Sequence, residues 1–170
     1  QAIAQQWGCH FDTQNVQLQQ PGNVEAQARH LRYEALINLC EQHRINNLLI
    51  AHHQDDQAET VLLQLLRGAG LPGLCAMPVT RQAKDKQQSI HIWRPFLELT
   101  RKDLESYAKE HQLTWIEDPS NADEAYRRNA IRKTLLPKLE AIQTGATANL
   151  ARSAKHITQA QELLNQLADI

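Results

Sequence analysis

No stretch of this 170-residue chain approaches the ~18 consecutive apolar residues of a membrane-crossing helix. The mean hydropathy is −0.54, so a membrane span is not expected. The opening residues, QAIAQQWGCHF, hold neither a basic n-region nor an apolar h-region, which excludes a visible secretory signal. They also lack an initiator Met and start in a helical pattern, which suggests a sequence that opens inside a longer protein. Cysteine is scarce. Cys9, Cys40 and Cys75 are odd in number, far apart and never in a CxxC. That argues against a disulfide framework, a zinc ribbon or an iron–sulfur site and reads as reduced thiols in a cytoplasmic protein. Internal repeats and low-complexity tracts are absent.

Charge of either sign is nearly balanced, at a net −1, but it is unevenly spread. Residues 1–60 carry three basic and seven acidic side chains, whereas 61–170 carry fifteen and twelve. Arg127, Arg128, Arg132, Lys133 and Lys138 follow one another with no acid between Ala125 and Leu139. Such a strip fits phosphate or nucleic acid, and equally a solvated helix face.

Periodicity supplies the elements. HFDTQNVQL reads as a short strand through Phe11, Val16 and Leu18. Pro21 and Gly22 make a turn, and Asn23 caps a helix with Val24, Ala28, Leu31, Ala35, Leu36 and Leu39 on one stripe. NNLLIAHH reads as a buried strand. DDQAETVLLQLLRGAG reads as a helix that starts near Asp55 or Asp56 and stops at Gly68 or Gly70, followed by a GAGLPG loop. This strand–helix–strand–helix order is that of an α/β parallel sheet, whose ligands sit beyond the carboxyl ends of the strands. TRQAKDKQQ is then a polar hairpin tip, SIHIWRPF a strand, LTRKDLESYAKEHQ a helix capped by Thr100, and LTWIEDPSN a short strand and turn. EAYRRNAIRKTLLPKLEAI reads as a helix broken near Pro137. The last segment is one amphipathic helix with Leu150, Ala154, Ile157, Leu164 and Leu167 on a stripe that a following domain or a second chain would cover.

The stretch AHHQDDQAET, Ala51–Thr60, places two histidines and three carboxylates where a ligand is expected. Three chemistries compete for it. A metal cage could draw on His52, His53, Asp55, Asp56 and Glu59, but neighbouring histidines on a strand point to opposite faces, and no second His or Cys cluster completes a tetrahedral set. An acid/base pair is the second. The third is a carboxylate pair that holds a cation. Asp56 and Glu59 are three residues apart on one helix face, and Asp55 and Glu59 are four apart. The helix dipole favours acids in the first turn by ~0.3–1 kcal/mol each, so a cap accounts for one acid but not for a second one turn on. Two such carboxylates repel unless a cation, such as an ammonium or a magnesium-bound phosphate, joins them.

The stretch AHHQDDQAETVLLQLLRGAGLPGLCAM resembles the second signature of tRNA(Ile)-lysidine synthetases, of the PP-loop N-type ATP pyrophosphatase group. EAQARHLRY, RPFLELTRKDLESYAKEHQLTWIEDPSN and YRRNAIRKTLLPKLE match the same family in the same order, over roughly residues 23–140. The resemblance implies a reaction in which ATP, with Mg2+, adenylates the C2 oxygen of an anticodon cytidine of tRNA(Ile). The ε-amine of lysine then displaces AMP. On this resemblance Asp56 and Glu59 contact lysine, and Arg128, beside Asn129 and Arg132, offsets charge on the adenylate. Arg67, Gly68, Arg132 and Lys133 lie near substrate, and Arg29, Arg32 and His52 reach the nucleotide. No protein-built metal site is implied.

The family's glycine-rich SGGxDS loop is missing: Gly8 and Gly22 are the sole glycines ahead of the decapeptide. The expectation is therefore a PP-loop (adenine nucleotide α-hydrolase-like) α/β parallel sheet, truncated at its N-terminus and inactive by itself. It would comprise a partial catalytic domain, 1–141, and a helical linker, 142–170, that begins a tRNA-binding region through which a homodimer could form. Two alternatives stay open: another PP-loop tRNA-modifying enzyme, and a non-catalytic RNA-binding module that keeps the basic strip without needing Asp56 or Glu59.

Overall fold

The computed structural model describes residues 1–17, 24–84 and 89–168. It divides into two compact units, one of residues 1–48 with 84–90, the other of 49–83 with 91–170. In chain order the elements are α1 (Ala2–Gln6), α2 (Val24–Gln42), β1 (Asn47–Leu49), α3 (Gln54–Leu65), α4 (Leu71–Leu74), β2 (Thr80–Lys84) and β3 (Ser89–Trp93). They continue with α5 (Arg101–Glu110), a 3-10 turn (Pro119–Ala122), α6 (Arg127–Ala130), a π turn (Ile131–Leu135), α7 (Leu136–Ile142) and α8 (Ala146–Ala168).

The strands lie in the order β1-β3-β2. Ile50 N–H donates to Trp93 O at 2.8 Å, which brings the carboxyl ends of β1 and β3 together and makes them parallel. Arg94 N–H donates to Val79 O at 2.9 Å and closes the β2–β3 pair, which is antiparallel. The sheet is thus mixed, because residues 80–84, expected as part of a polar excursion, form a strand; the tip at 85–88 lies outside the described residues. β3 keeps the alternation its sequence shows, with Ile90 and Ile92 fully buried and Ser89, His91 and Trp93 exposed.

Four expectations need correction. Residues 9–17 form no strand, while Leu18, the Pro21–Gly22 turn and the Asn23 cap lie outside the described residues. Residues 113–118 form none either, and Ile116 is 95% exposed. Apolar alternation yields a strand when a neighbouring strand accepts its hydrogen bonds, and these segments have no such neighbour among the described residues. β1 is a strand, but a three-residue one at the end of the described sheet, and Leu49 is 68% exposed rather than buried. The GAGLPG stretch, expected as a loop, contains the short α4.

The helices follow their signals. α3 places Ala58, Val61 and Leu62 on one face, all buried, and Gly68 ends the turn beyond it with a φ of 69°. α5 starts on a reciprocal cap: Asp103 N–H donates to Thr100 Oγ1 at 3.0 Å and Thr100 N–H to Asp103 Oδ2 at 2.9 Å. Pro137 sits in the first turn of α7 and has no N–H to return to the preceding turn, so the helix changes register through the π turn ahead of it. At the start of α8 the Glu140 carboxylate accepts the N–H groups of Thr147 and Gly145 at 2.7 and 2.8 Å, which holds its pKa below the ordinary glutamate value.

Within the second unit, Ala58, Leu62, Ile131 and Leu136 form a core, with Leu63, Leu135, Leu139 and Leu150 packed on it. α8 lies in this unit and packs its first half on α3 and α4, with Ala154 buried. Farther along, Leu163, Leu164 and Leu167 are exposed. No described helix is long and apolar enough to cross a membrane.

Candidate active site

The three acids of the decapeptide part company at the start of α3. His53 is extended and precedes the helix. Asp56, at the third helical position, accepts His53 N–H on Oδ2 at 3.0 Å and so caps the helix. Its other oxygen, Oδ1, accepts Nη2 of Arg128 at 3.0 Å. Asp55 turns elsewhere: its Oδ2 accepts the Arg101 N–H at 2.9 Å, at the start of α5, and lies 3.5 Å from His53 Nδ1. Glu59, one turn on, caps nothing. It is 0% exposed, at the edge of the apolar core, where an unpaired carboxylate would be strongly disfavoured.

Two guanidiniums compensate it. Arg128 donates from Nε to Glu59 Oε2 at 2.5 Å, and Arg132 from Nε to Oε1 at 2.5 Å and from Nη2 to Oε2 at 3.1 Å. Arg128 thus bridges both carboxylates, whereas Arg132 grips Glu59 and stands 3.7 Å from Asp56. The arginines are four residues apart and share a face, and local structure holds them there. Asn129, buried between them in sequence, donates from Nδ2 to the carbonyls of Ser120 and Asp123 at 2.9 and 2.7 Å, which ties α6 to the turn behind it. Ile131 and Leu136, both buried, flank Arg132 and seat the π turn in the core.

The electrostatics agree with this arrangement. Burial opposes the charge on Arg132, but the bond to Glu59 and the nearby charges of Glu59, Asp56 and Asp55 outweigh it and raise its pKa above the ordinary arginine value. Burial likewise works against protonated His53, and Asp55, Asp56 and Glu59 together overcome it, so this imidazole titrates above its usual value. Asp55 is held below the ordinary aspartate value: burial pushes it up, and the His53 bond and the Arg101 N–H outweigh that push.

Of the residues singled out from sequence, Asp56, Glu59, Arg128 and Arg132 meet in one network. The cations beside these acids in the structure belong to the chain itself. Arg67 and Gly68 lie past the far end of α3, where Arg67 shares an apolar-floored cleft of about 490 Å³ with Arg127 and Lys138. Lys133 is exposed on the π turn. His52, half-buried, precedes α3 in the second unit, whereas Arg29 and Arg32 are exposed on α2 in the first, with Arg29 stacked 5.2 Å over the Tyr33 ring. Sequence reasoning missed the roles of His53 and Asp55 and the clamp made by Gln57, which exchanges two hydrogen bonds with the Met77 main chain at 2.7 and 2.9 Å. Asp55 was visible as a first-turn acid, but nothing local announced Arg101 as its partner.

With both Asp56 and Glu59 taken up by guanidiniums, these residues do not present the open set of oxygens that Mg2+ requires. Among the described residues, a convergent group of donors occurs instead in the first unit, at exposed His10, Asp12 and His43, where His43 Nε2 lies 2.9 Å from Asp12 Oδ2. Its two imidazoles make it unlike a magnesium site. The three cysteines are free thiols, Cys40 buried and Cys9 exposed.

Residues 1–139 match the model of the PP-loop domain. The chain belongs to the PP-loop family. Among curated proteins it is similar to the tRNA(Ile)-lysidine synthase of Ralstonia nicotianae, 49% identical over 145 residues, which cover 85% of this chain and 30% of that protein. The enzyme of the same name from Pseudomonas fluorescens is 43% identical over 170 residues, covering 100% of the chain and 37% of the relative. For Burkholderia mallei the figures are 46% over 169 residues, 98% and 34%. The chain thus spans about a third of the length of these relatives. A solved U34-tRNA thiolase of Methanococcus maripaludis, with its 4Fe-4S cluster, superposes with a TM-score of 0.72 at 14% identity, over 93% of this chain and 54% of that one. That likeness confirms the PP-loop fold.

Proposed function

We propose that this PP-loop chain carries the amine-handling part of an ATP-dependent lysidine synthase acting on tRNA(Ile). The observation that supports it most is the buried set of Asp56, Glu59, Arg128 and Arg132, two carboxylates and two guanidiniums drawn from two of the motifs shared with the lysidine synthases. In the proposed reaction the cytidine C2 oxygen attacks the α-phosphorus of ATP and pyrophosphate leaves. The ε-nitrogen of lysine then bonds to C2, the C2–O bond breaks, and AMP departs with the electron pair. The amine loses protons as it attacks, and a carboxylate that has held the ammonium is placed to take one. A guanidinium beside it offsets the charge that gathers on the departing phosphate.

ATP and its Mg2+ are substrates of this reading. The metal would travel with the nucleotide's phosphates, and no step is assigned to Asp56 or Glu59 as its ligands. RNA contact is assigned to the outer cations, Arg67, Arg127, Lys133 and Lys138, and residues 142–170 are taken as the start of the tRNA-binding region. A different PP-loop chemistry that depends on a reactive CxxC is disfavoured by its absence from this sequence.

The test uses the full-length protein that contains this chain, with tRNA(Ile), ATP and radiolabelled lysine. Glu59→Ala should abolish lysine incorporation while leaving tRNA affinity largely intact. Unchanged incorporation in Glu59→Ala would reject the assigned role of Glu59, and tRNA binding without lysine incorporation by the wild-type protein would favour a plain RNA-binding module.

A further inference from the structure

The two acids of the pair are matched one for one by guanidiniums, while Asp55 beside them is matched separately by His53 at 3.5 Å and by the Arg101 N–H. Asp56 and Glu59 contribute two negative charges, Arg128 and Arg132 two positive ones, and Glu59 is 0% exposed. A third cation brought between the acids would leave an uncompensated positive charge in a poorly solvated place, where such an excess is costly. An ammonium therefore binds there by exchange and not by addition.

The geometry decides which guanidinium leaves. An amine lodged between the two carboxylates must contact both, and that is the position Arg128 holds, with Nε on Glu59 and Nη2 on Asp56 at 3.0 Å. Arg132 approaches Glu59 from the side, with two bonds to that one carboxylate. The supports differ in the same sense. Arg132 rides on the π turn, between core residues Ile131 and Leu136. Arg128 rides on the four-residue α6, which is tied through Asn129 to the turn at 119–123 and through Arg128 Nη2 to the Asp56 carbonyl at 3.4 Å.

Building on the lysine site proposed above, we infer that Arg128 is a placeholder for the substrate ammonium, and that Arg132 is the fixed counterion that remains. Arrival of the amine expels the Arg128 guanidinium from the acids, so the same event that seats the nucleophile frees a cation for the phosphate that must leave. Asp56 and Glu59 stay neutralised throughout. Without amine, Arg128 is held away from the nucleotide, which couples activation of the phosphate to the presence of the nucleophile.

The experiment follows the arginine Nε–H signals of the 15N-labelled protein by NMR, assigned through Arg128→Lys and Arg132→Lys, during titration with L-lysine, n-butylamine and norleucine. Lysine and butylamine are expected to move the Arg128 signal toward its solvent-exposed position and leave Arg132 in place, while norleucine, which lacks the side-chain amine, does neither. Arg128→Met, freed of the internal competitor, should bind lysine about tenfold more tightly, as expected when a blocked form outweighs the competent one by that ratio. Movement of Arg132 with Arg128 unmoved would overturn the assignment, as would lysine binding that leaves both signals unchanged. Equal or weaker binding by Arg128→Met would overturn it too. Failure of wild type and Arg128→Met alike to bind any amine would instead remove the lysine site on which the exchange depends.

Discussion

The carboxylate of Asp55 accepts the main-chain N–H of Arg101 at 2.9 Å, across 46 positions of sequence. The first turn of α3 therefore serves as part of the cap of α5, beside the reciprocal pair of Thr100 and Asp103. A second bond, Gln54 N–H to Leu99 O at 2.8 Å, runs between the same two segments. The decapeptide and the RPFLELTRKDLE motif are thus one structural joint. Asp55→Ala should cost about 1 kcal/mol, the usual value of a lost N-cap, and Asp55→Asn, which keeps an acceptor, distinctly less. Urea unfolding of the two variants measures this; equal losses would mean that charge, not the acceptor, is what matters.

The imidazole of His53 lies 3.5 Å from both Asp55 and Asp56, and its pKa is raised against the opposing effect of burial. A group whose folded pKa exceeds its unfolded one stabilises the fold fully below the unfolded value, about 6.5 for histidine, and loses that contribution as pH rises through the folded value. Stability should therefore fall as pH rises above about 6.5 and through the raised folded value, and His53→Gln should flatten that fall. Asp55, held low, gives the opposite slope on the acid side, with stability lost as pH drops through its folded value. Chemical denaturation midpoints across pH, for wild type and His53→Gln, would show it. An unchanged alkaline slope in the variant would rule out His53 as its source.

Glu59 offers a sharper test of the buried network. Glu59→Gln leaves two guanidiniums facing a neutral amide, and removal of one partner of a buried ion pair costs about 3–5 kcal/mol. Arg128→Met should cost less, because Arg132 still compensates Glu59 through two bonds. The double variant should therefore be less destabilised than the sum of the singles, with a coupling in the range of ~0.5–3 kcal/mol. Strict additivity in denaturant titrations would mean that the two side chains do not interact in solution.

How far this site was legible in the sequence depends on the distance between its parts. The shared face of Asp56 and Glu59 follows from helical spacing and is present, and so are the Thr100 cap, the break at Pro137 and the buried face of β3. The pairing of Glu59 with Arg128 and Arg132 spans 69 and 73 residues, and no local period reports such a contact. Family motifs brought these residues into one list but assigned the acids to a substrate and the arginine to a phosphate, whereas in this structure they satisfy each other. The strands expected over 11–17, the described part of the first, and over 113–116 failed for a related reason: alternation states which face a strand would bury, not whether a neighbour exists to pair with it.

Arg127 and Arg128 are adjacent in sequence yet meet different fates, and on the function proposed above that divergence would separate RNA contact from chemistry. Arg128 and Arg132 turn onto Glu59, while Arg127 is exposed beside Arg67 and Lys138 around the apolar cleft, and Lys133 is exposed on the π turn. A cation that neutralises an RNA phosphate releases a counterion, so its removal should lower the log–log salt slope of tRNA binding by ~0.7–0.9. Arg127→Ala and Lys133→Ala in the full-length protein should each show that loss with little change in the rate at saturating tRNA. Arg132→Ala should leave the slope unchanged, since its charge is already matched by a carboxylate within the protein, and should lower stability and rate instead. Filter binding at several salt concentrations, beside single-turnover lysine incorporation, distinguishes the two groups. If Arg132→Ala flattened the slope as much as Arg127→Ala, Arg132 would be a phosphate contact, and the balanced network would not describe the RNA-bound enzyme.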